Sequence, residues 1–171
     1  MSDPNARSGP APSTCPLNHL LFGAGSRTAV GDLGLAIARV GIGLYMAFGH
    51  GYGKIFGEDR FGPPQGFVDL VDSLGFPAPL AFAWMAAISE FLGGLALAAG
   101  LLTRPAALTF IGTMAVAAFL QHGSDPWAAS PGEASKEMAM LYMLPAIAFL
   151  ALGGGRFSVD EVLKKVLFCK R

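Results

Sequence analysis

The sequence predicts an all-α membrane protein: a bundle of four transmembrane helices, with a short amphipathic helix outside it and a C-terminal amphipathic helix at the interface. Three observations carry that expectation. Ala78 to Leu102 is a continuous apolar run of twenty-five residues broken by one ionisable side chain, Glu90. At about 1.5 Å per residue it is long enough to cross a hydrocarbon core of roughly 30 Å with room to tilt. Three more apolar segments, Leu33 to about Gly51, Pro105 to about Leu120 and Glu137 to about Leu152, are set apart by polar or Pro/Gly-rich connections. The chain is 53% hydrophobic and only 14% charged, with a mean hydropathy of +0.50, well to the membrane side of globular usage. Formal net charge is zero, so no basic excess points to nucleic acid. The lipid bilayer is the first partner.

Residues 1–32 read as a flexible cytoplasmic tail. Three prolines precede Cys15 and no helical period is present; nor is there the basic start, apolar core and cleavage site of a signal peptide. The membrane domain then covers 33–157. Its first helix holds Gly34, Gly41, Gly43 and Gly49, and small residues let helices approach closely in lipid. Arg39 lies inside it. His50 follows eleven residues later, which at about 100° per residue returns almost to the same face, with Lys54 about 60° further round. Gly62-Pro63-Pro64 breaks the chain. Gly66 to Leu74 then sets Phe67, Leu70, Val71 and Leu74 on one stripe opposite Asp69, Asp72 and Ser73, a short helix suited to the mouth of the bundle. Gly75 and Pro77 end it.

The second helix flanks Glu90 with Ala86 and Gly94, small residues that favour close packing around a polar contact. Leu101 to Pro105 is too short for anything but antiparallel neighbours, with Thr103 as the expected cap and Pro105 in the first turn. In the third helix Thr109 and Thr113 are placed to bond back to their own backbone. The polar loop from Gln121 to Lys136 contains Trp127, an interfacial anchor, and the fourth helix contains Pro145, where a kink is expected. Ser158-Val159-Asp160-Glu161 has the form of a capping box that opens a helix over 158–171. Val159, Val162, Leu163, Val166 and Leu167 share one face and Lys164 and Lys165 lie off it, as on a helix resting on an anionic membrane surface.

Charge counts orient the bundle. With four spans, one side collects Arg7, Arg27, Arg104, Arg156, Lys164, Lys165, Lys170 and Arg171, and the other only Lys54, Arg60 and Lys136. The positive-inside rule then puts both termini in the cytoplasm of a prokaryotic cell, the protein being multi-pass in the cytoplasmic membrane. Cys15 and Cys169 would both face a reducing compartment.

A carboxylate near the centre of a span costs about 2.5–3.5 kcal/mol by insertion scales, so Glu90 requires a mate. Arg39 lies about eight residues from the cytoplasmic start of the first span and Glu90 about twelve from the cytoplasmic end of the second. The difference in depth is roughly 6 Å, which an arginine side chain covers. An Arg39–Glu90 pair is therefore expected, either as a structural clamp or as the floor of an outward-opening polar pocket. His50, Lys54, Gln121, His122 and Lys136 would converge at the mouth of that pocket. Such a cluster suits an anion, a quinone-like carbonyl or a proton relay. No acidic or cysteine ligands stand at helical spacing from the histidines, so no metal site is expected. With no haem, dinucleotide or nucleophile-elbow motif either, the chain shows no cofactor of its own.

Taken in order, Arg39-Val40-Gly41, Phe48-Gly49-His50-Gly51 with Lys54, Leu74-Gly75-Phe76-Pro77, Glu90 with Gly93-Gly94, Gly100-Leu101-Leu102-Thr103-Arg104-Pro105-Ala106 and Gly153-Gly154-Gly155-Arg156-Phe157-Ser158-Val159-Asp160 resemble the DoxX family of small prokaryotic membrane proteins. The resemblance covers about residues 33–163. It implies a four-helix integral membrane protein with Arg39, His50, Lys54 and Glu90 as the family's polar positions. It also implies an association with oxidoreductases, through thiosulfate oxidation with quinone and through membrane complexes handling oxidative or thiol stress. The function expected on that basis is an accessory or docking subunit of a larger membrane redox complex, or a homo-oligomer, with quinone as the ligand of the outer pocket. The alternatives are a stand-alone quinone-dependent oxidoreductase and a small-solute carrier.

Overall fold

Thr28 starts the first helix by accepting the Gly31 N–H on its side-chain oxygen at 3.1 Å, and Asp32 places a negative charge in the first turn, where the helix dipole favours it. The helix thus begins at Ala29 rather than at Leu33. In the computed structural model, which describes residues 26, 28–57, 61–130 and 132–168, the elements are α1 (Ala29–Ile55), α2 (Gln65–Ser73), α3 (Pro79–Ala99), α4 (Thr103–Gln121), α5 (Glu137–Leu152) and α6 (Val159–Phe168). The chain is all-helical, with no strand among the described residues. Readings that fall on the tail 1–25, on Arg27, Arg60, Cys15 and Cys169, and on Lys170 and Arg171 lie outside the described residues.

Three helices, α1, α3 and α4, are long and apolar enough to cross a membrane, and α5 is a shorter apolar helix. α5 runs on through Pro145. The amphipathic α2 and α6 form where the sequence predicts them, and Ser158 caps α6 by accepting the Glu161 N–H at 3.2 Å.

The long helices turn apolar side chains outward. Ile37, Tyr45 and Phe48 on α1, Met85 and Leu92 on α3, Leu108 on α4 and Leu144 on α5 are all exposed, whereas Asp32, Arg39, Ser89, Glu90, Thr103, Ser158 and Asp160 are buried. This ordering suits a lipid solvent, in which polar groups turn to the bundle interior. The core joins Phe110, Met114 and Ala118 of α4 to Tyr142, Ala146 and Phe149 of α5, with Met46 and Leu97 added from α1 and α3.

α1 and α3 touch through glycine. A Cβ at Gly43 would lie 2.5 Å from the Gly94 carbonyl oxygen, and one at Gly51 would lie 2.8 Å from the Glu90 carbonyl carbon. The backbones therefore meet directly, as small-residue packing permits. Three of the long helices also contain a π-type turn, at Ala47–Gly51, Ser89–Gly93 and Ala117–Gln121. Such a turn carries an extra residue and rotates the remainder of its helix by about 100° relative to an uninterrupted α-helix.

The helix ends are not flush. Gly43 of α1 packs against Ala98 near the end of α3, so the ten residues of α1 before Arg39, roughly 15 Å of helix, extend past the end of α3 at Ala99. Replacing Gly51 with alanine is expected to cost about 1–3 kcal/mol of stability in detergent, because neither backbone can give way. Gly53→Ala, whose Cβ meets nothing within 4 Å, is expected to be neutral or to add up to about 1 kcal/mol. Unfolding midpoints of the two variants check this.

Candidate functional site

Glu90 sits in the π turn near the middle of α3 and is buried. Its mate is Lys54, from the last turn of α1, whose Nζ stands 2.6 Å from both carboxylate oxygens. Gly51 makes this geometry possible, because it brings the α1 backbone against Glu90 and Phe91 one turn before the lysine. The Phe67 ring of α2 lies 4.5 Å from the same ammonium, a cation–π contact that ties the short helix to the pair.

A cavity of about 650 Å³ opens beside the pair, between α2, α3 and α4. Its walls are mostly apolar. The polar groups on it are Lys54, Ser89, Glu90, Thr109, Thr113 and Gln121. Thr109 and Thr113 spend their hydroxyl protons on their own helix, donating to the Ala106 and Thr109 carbonyls at 3.0 and 3.2 Å. The Ser89 hydroxyl is buried and has no hydrogen-bond partner among the described residues.

A second polar centre lies at the end of the bundle where α1 overhangs. Arg39 donates through Nη1 to the Leu97 and Ala98 carbonyls at 2.6 and 2.9 Å, and through Nη2 to the Phe157 carbonyl at 2.8 Å. A cation thus meets the carbonyls at the C-terminal end of α3, of which that of Leu97 also accepts the Gly100 N–H at 3.0 Å. Asp160 does the converse for α4: its carboxylate accepts the Leu102 and Thr103 N–H groups at 2.7 and 2.9 Å. Leu102 has φ +46°, a left-handed conformation that costs a side-chain-bearing residue roughly 1–2 kcal/mol, and the hydrogen bond to Asp160 holds it there. Gly100 has φ +69°, and a Cβ on it would lie 2.6 Å from the Ser158 Cβ. Asp32, fully buried, accepts the Ser26 N–H at 2.6 Å and pairs with Arg156 at 3.1 Å.

The expected Arg39–Glu90 pair is therefore replaced by two separate arrangements. Both residues are buried, but Arg39 serves carbonyls seven and eight positions beyond Glu90, roughly 10–12 Å along the helix. The overhang of α1 is the reason. The expected outer cluster also divides. Lys54 and Gln121 line the cavity, together with Glu90. His50 lies instead against Tyr142 and Tyr45, with ring centroids 5.6 and 6.2 Å away. His122 pairs with Asp125 at 2.8 Å, and Lys136 donates to the Gly123 carbonyl and covers Trp127. The π turn at Ala47–Gly51 breaks the single basic face that ideal helical spacing predicts for Arg39, His50 and Lys54. Thr103 is the first residue of α4 rather than its side-chain cap, a role taken by Asp160. Among the described residues no group of three or more His, Cys, Asp and Glu is placed to hold a metal ion.

Helices of membrane length, apolar side chains turned outward and buried charges met inside the bundle define a small integral membrane protein of the α-helical class. The chain belongs to the DoxX family: the family profile matches residues 34–123. It is 31% identical over 135 residues to the inner membrane protein YqjF of Escherichia coli K12, an alignment that covers 78% of this chain and 95% of that protein. No solved structure matches it.

Removing one member of the buried pair strands the other. Lys54→Met or Glu90→Leu alone is expected to cost about 3–5 kcal/mol, and the double variant clearly less than the sum; a double-mutant cycle on detergent-solubilised protein measures the coupling. Asp160→Ala, which removes two hydrogen bonds to a charged acceptor at about 1.5–3 kcal/mol each, is expected to lower the unfolding midpoint more than Asp160→Asn. The amide keeps one acceptor.

Proposed function

We propose that this protein is an accessory membrane subunit of a redox complex in the prokaryotic cytoplasmic membrane, and that its Lys54–Glu90 cavity contacts a quinone. The observation that carries this reading is the cavity itself: about 650 Å³ of mostly apolar space against an internally neutralised ion pair. That volume is in the range of small-molecule sites, which are apolar with a few fixed polar groups. A quinone offers a matching ligand, a flat apolar ring with carbonyl oxygens.

The redox setting is supported by what the family resemblance implies. Four spans are proposed, α1, α3, α4 and α5, with α2 and α6 at the two surfaces. The excess of Lys and Arg on one side supports an arrangement with both termini in the cytoplasm. Glu90 and Lys54 then lie at mid-depth and on the outer half, and the Arg39–Asp160 centre at the cytoplasmic end.

Purification of the protein from its native membrane in mild detergent tests the reading. Co-migration with larger redox subunits, together with quinone recovered in the extract, is the expected result. Migration alone with no quinone overturns it. Turnover of quinone by the isolated chain replaces the accessory role with that of an oxidoreductase.

A further inference from the structure

The geometry points to the cavity as a slot that holds a single hydrocarbon tail and measures its length, with Gly93 and Gly112 clearing the inner half. This deepens the reading of the cavity as a ligand site and rests on it. The lining follows the helix axes, from Phe82 to Gly93 on α3 and from Thr109 to Gln121 on α4, or about 17 and 18 Å at 1.5 Å per residue. The two helices are antiparallel, and a Cβ at Gly93 would lie 3.8 Å from the Thr109 hydroxyl oxygen, so these residues stand level at the inner end. α2 packs on Ala83 and walls the end nearer Phe82. Half of a hydrocarbon core of about 30 Å is one leaflet, so the slot has the length of one lipid chain.

What the walls withhold decides the chemistry. Both Glu90 oxygens are taken by Lys54, and the ammonium lies against the Phe67 ring. The Ser89 hydroxyl oxygen is inaccessible, and Thr109 and Thr113 donate to their own helix. A polar head group drawn into the inner half would lose its water and gain no donor there, whereas a hydrocarbon tail has nothing to lose. Met85, Ile88 and Gly112 are exposed beside the space on helices of membrane length, so the slot is continuous with the lipid-facing surface and a tail enters sideways. Glycine weakens a helix interior relative to alanine. No neighbour demands it here, because a Cβ at Gly112 would meet nothing within 4 Å and one at Gly93 nothing nearer than 3.8 Å. The missing side chains keep the slot open.

Straight-chain alcohols of increasing length, titrated against the intact chain in digitonin, test this with the unfolding midpoint as the readout. Digitonin has no alkyl tail of its own to fill the slot. Comparing variants with wild type at each length cancels the partition of the probe into micelles. An extended chain advances about 1.2 Å per bond, so about fourteen carbons fill the slot. Gly112 lies three residues from Thr109, as Glu90 lies three from Gly93, so a side chain at Gly112 closes the slot at the level of the ion pair. Gly112→Leu is expected to keep the fold, to leave chains of up to about eight carbons within about twofold of wild type, and to weaken a fourteen-carbon chain about tenfold, as displacement of two methylenes does. Gly93→Leu, at the inner end, is expected to weaken only the longest chains.

A ratio of wild type to variant that is the same at every chain length, or variants that bind every chain as wild type does, overturn the assignment. Decylubiquinone and its ring without the tail separate this from the quinone reading. If both bind alike and Gly112→Leu changes neither, the slot is wrong and the quinone reading stands. If the alcohols show the length dependence and neither quinone binds, the slot stands and the quinone reading falls.

Discussion

The constraint behind the whole structure is that a charge inside an apolar bundle must be met, and that helix ends bring charges of their own. The reversal between α3 and α4 leaves carbonyls at one end and amides at the other within a few residues. Arg39 answers the carbonyls and Asp160 answers the amides. With the arginine committed there, the mid-span carboxylate of Glu90 is left to Lys54. The two polar centres thus divide between them the work that spacing alone assigns to a single pair.

Much of the architecture is legible in the sequence, because its signals are long and periodic. The apolar runs, the stripe of α2, the serine cap of α6 and the short α3–α4 link all follow from spacing and local chemistry. Burial of Arg39 and Glu90 is also legible, since any charge within such a run must turn inward. Their partners are not. Matching them requires the relative height of two helices, and nothing in the sequence tells that α1 runs past the end of α3. The π turns are equally silent, yet the one at Ala47–Gly51 decides that His50 faces Tyr142 while Lys54 faces Glu90. Asp160 reads in the sequence as part of a local capping motif. Its long-range role appears only once the C-terminal segment folds back against the link. Ser89 carries no signal at all, because a serine in a membrane helix usually satisfies itself on its own backbone.

The cavity joins elements that differ in character. Its walls on α3 and α4 belong to spanning helices, while α2 sits between a positive-φ Gly62 and a positive-φ Gly75. Val68 and Val71 hold α2 to Ala83, and Phe67 holds it to Lys54. The aromatic face over the ammonium therefore couples the position of a peripheral helix to the buried pair. Any rearrangement at the pair is felt by α2.

The docking of residues 153–160 also bears on how the chain is made. Gly100 and Leu102 hold left-handed conformations beside Arg39 and Asp160, and Asp160 emerges from the ribosome long after the hairpin that it caps. Until then the link between the second and third long helices lacks its carboxylate and Arg39 lacks the Phe157 carbonyl. The spans can enter the bilayer one after another, but the reversal between α3 and α4 is completed by a segment synthesised after all of them, so assembly closes from the end of the chain back to its beginning.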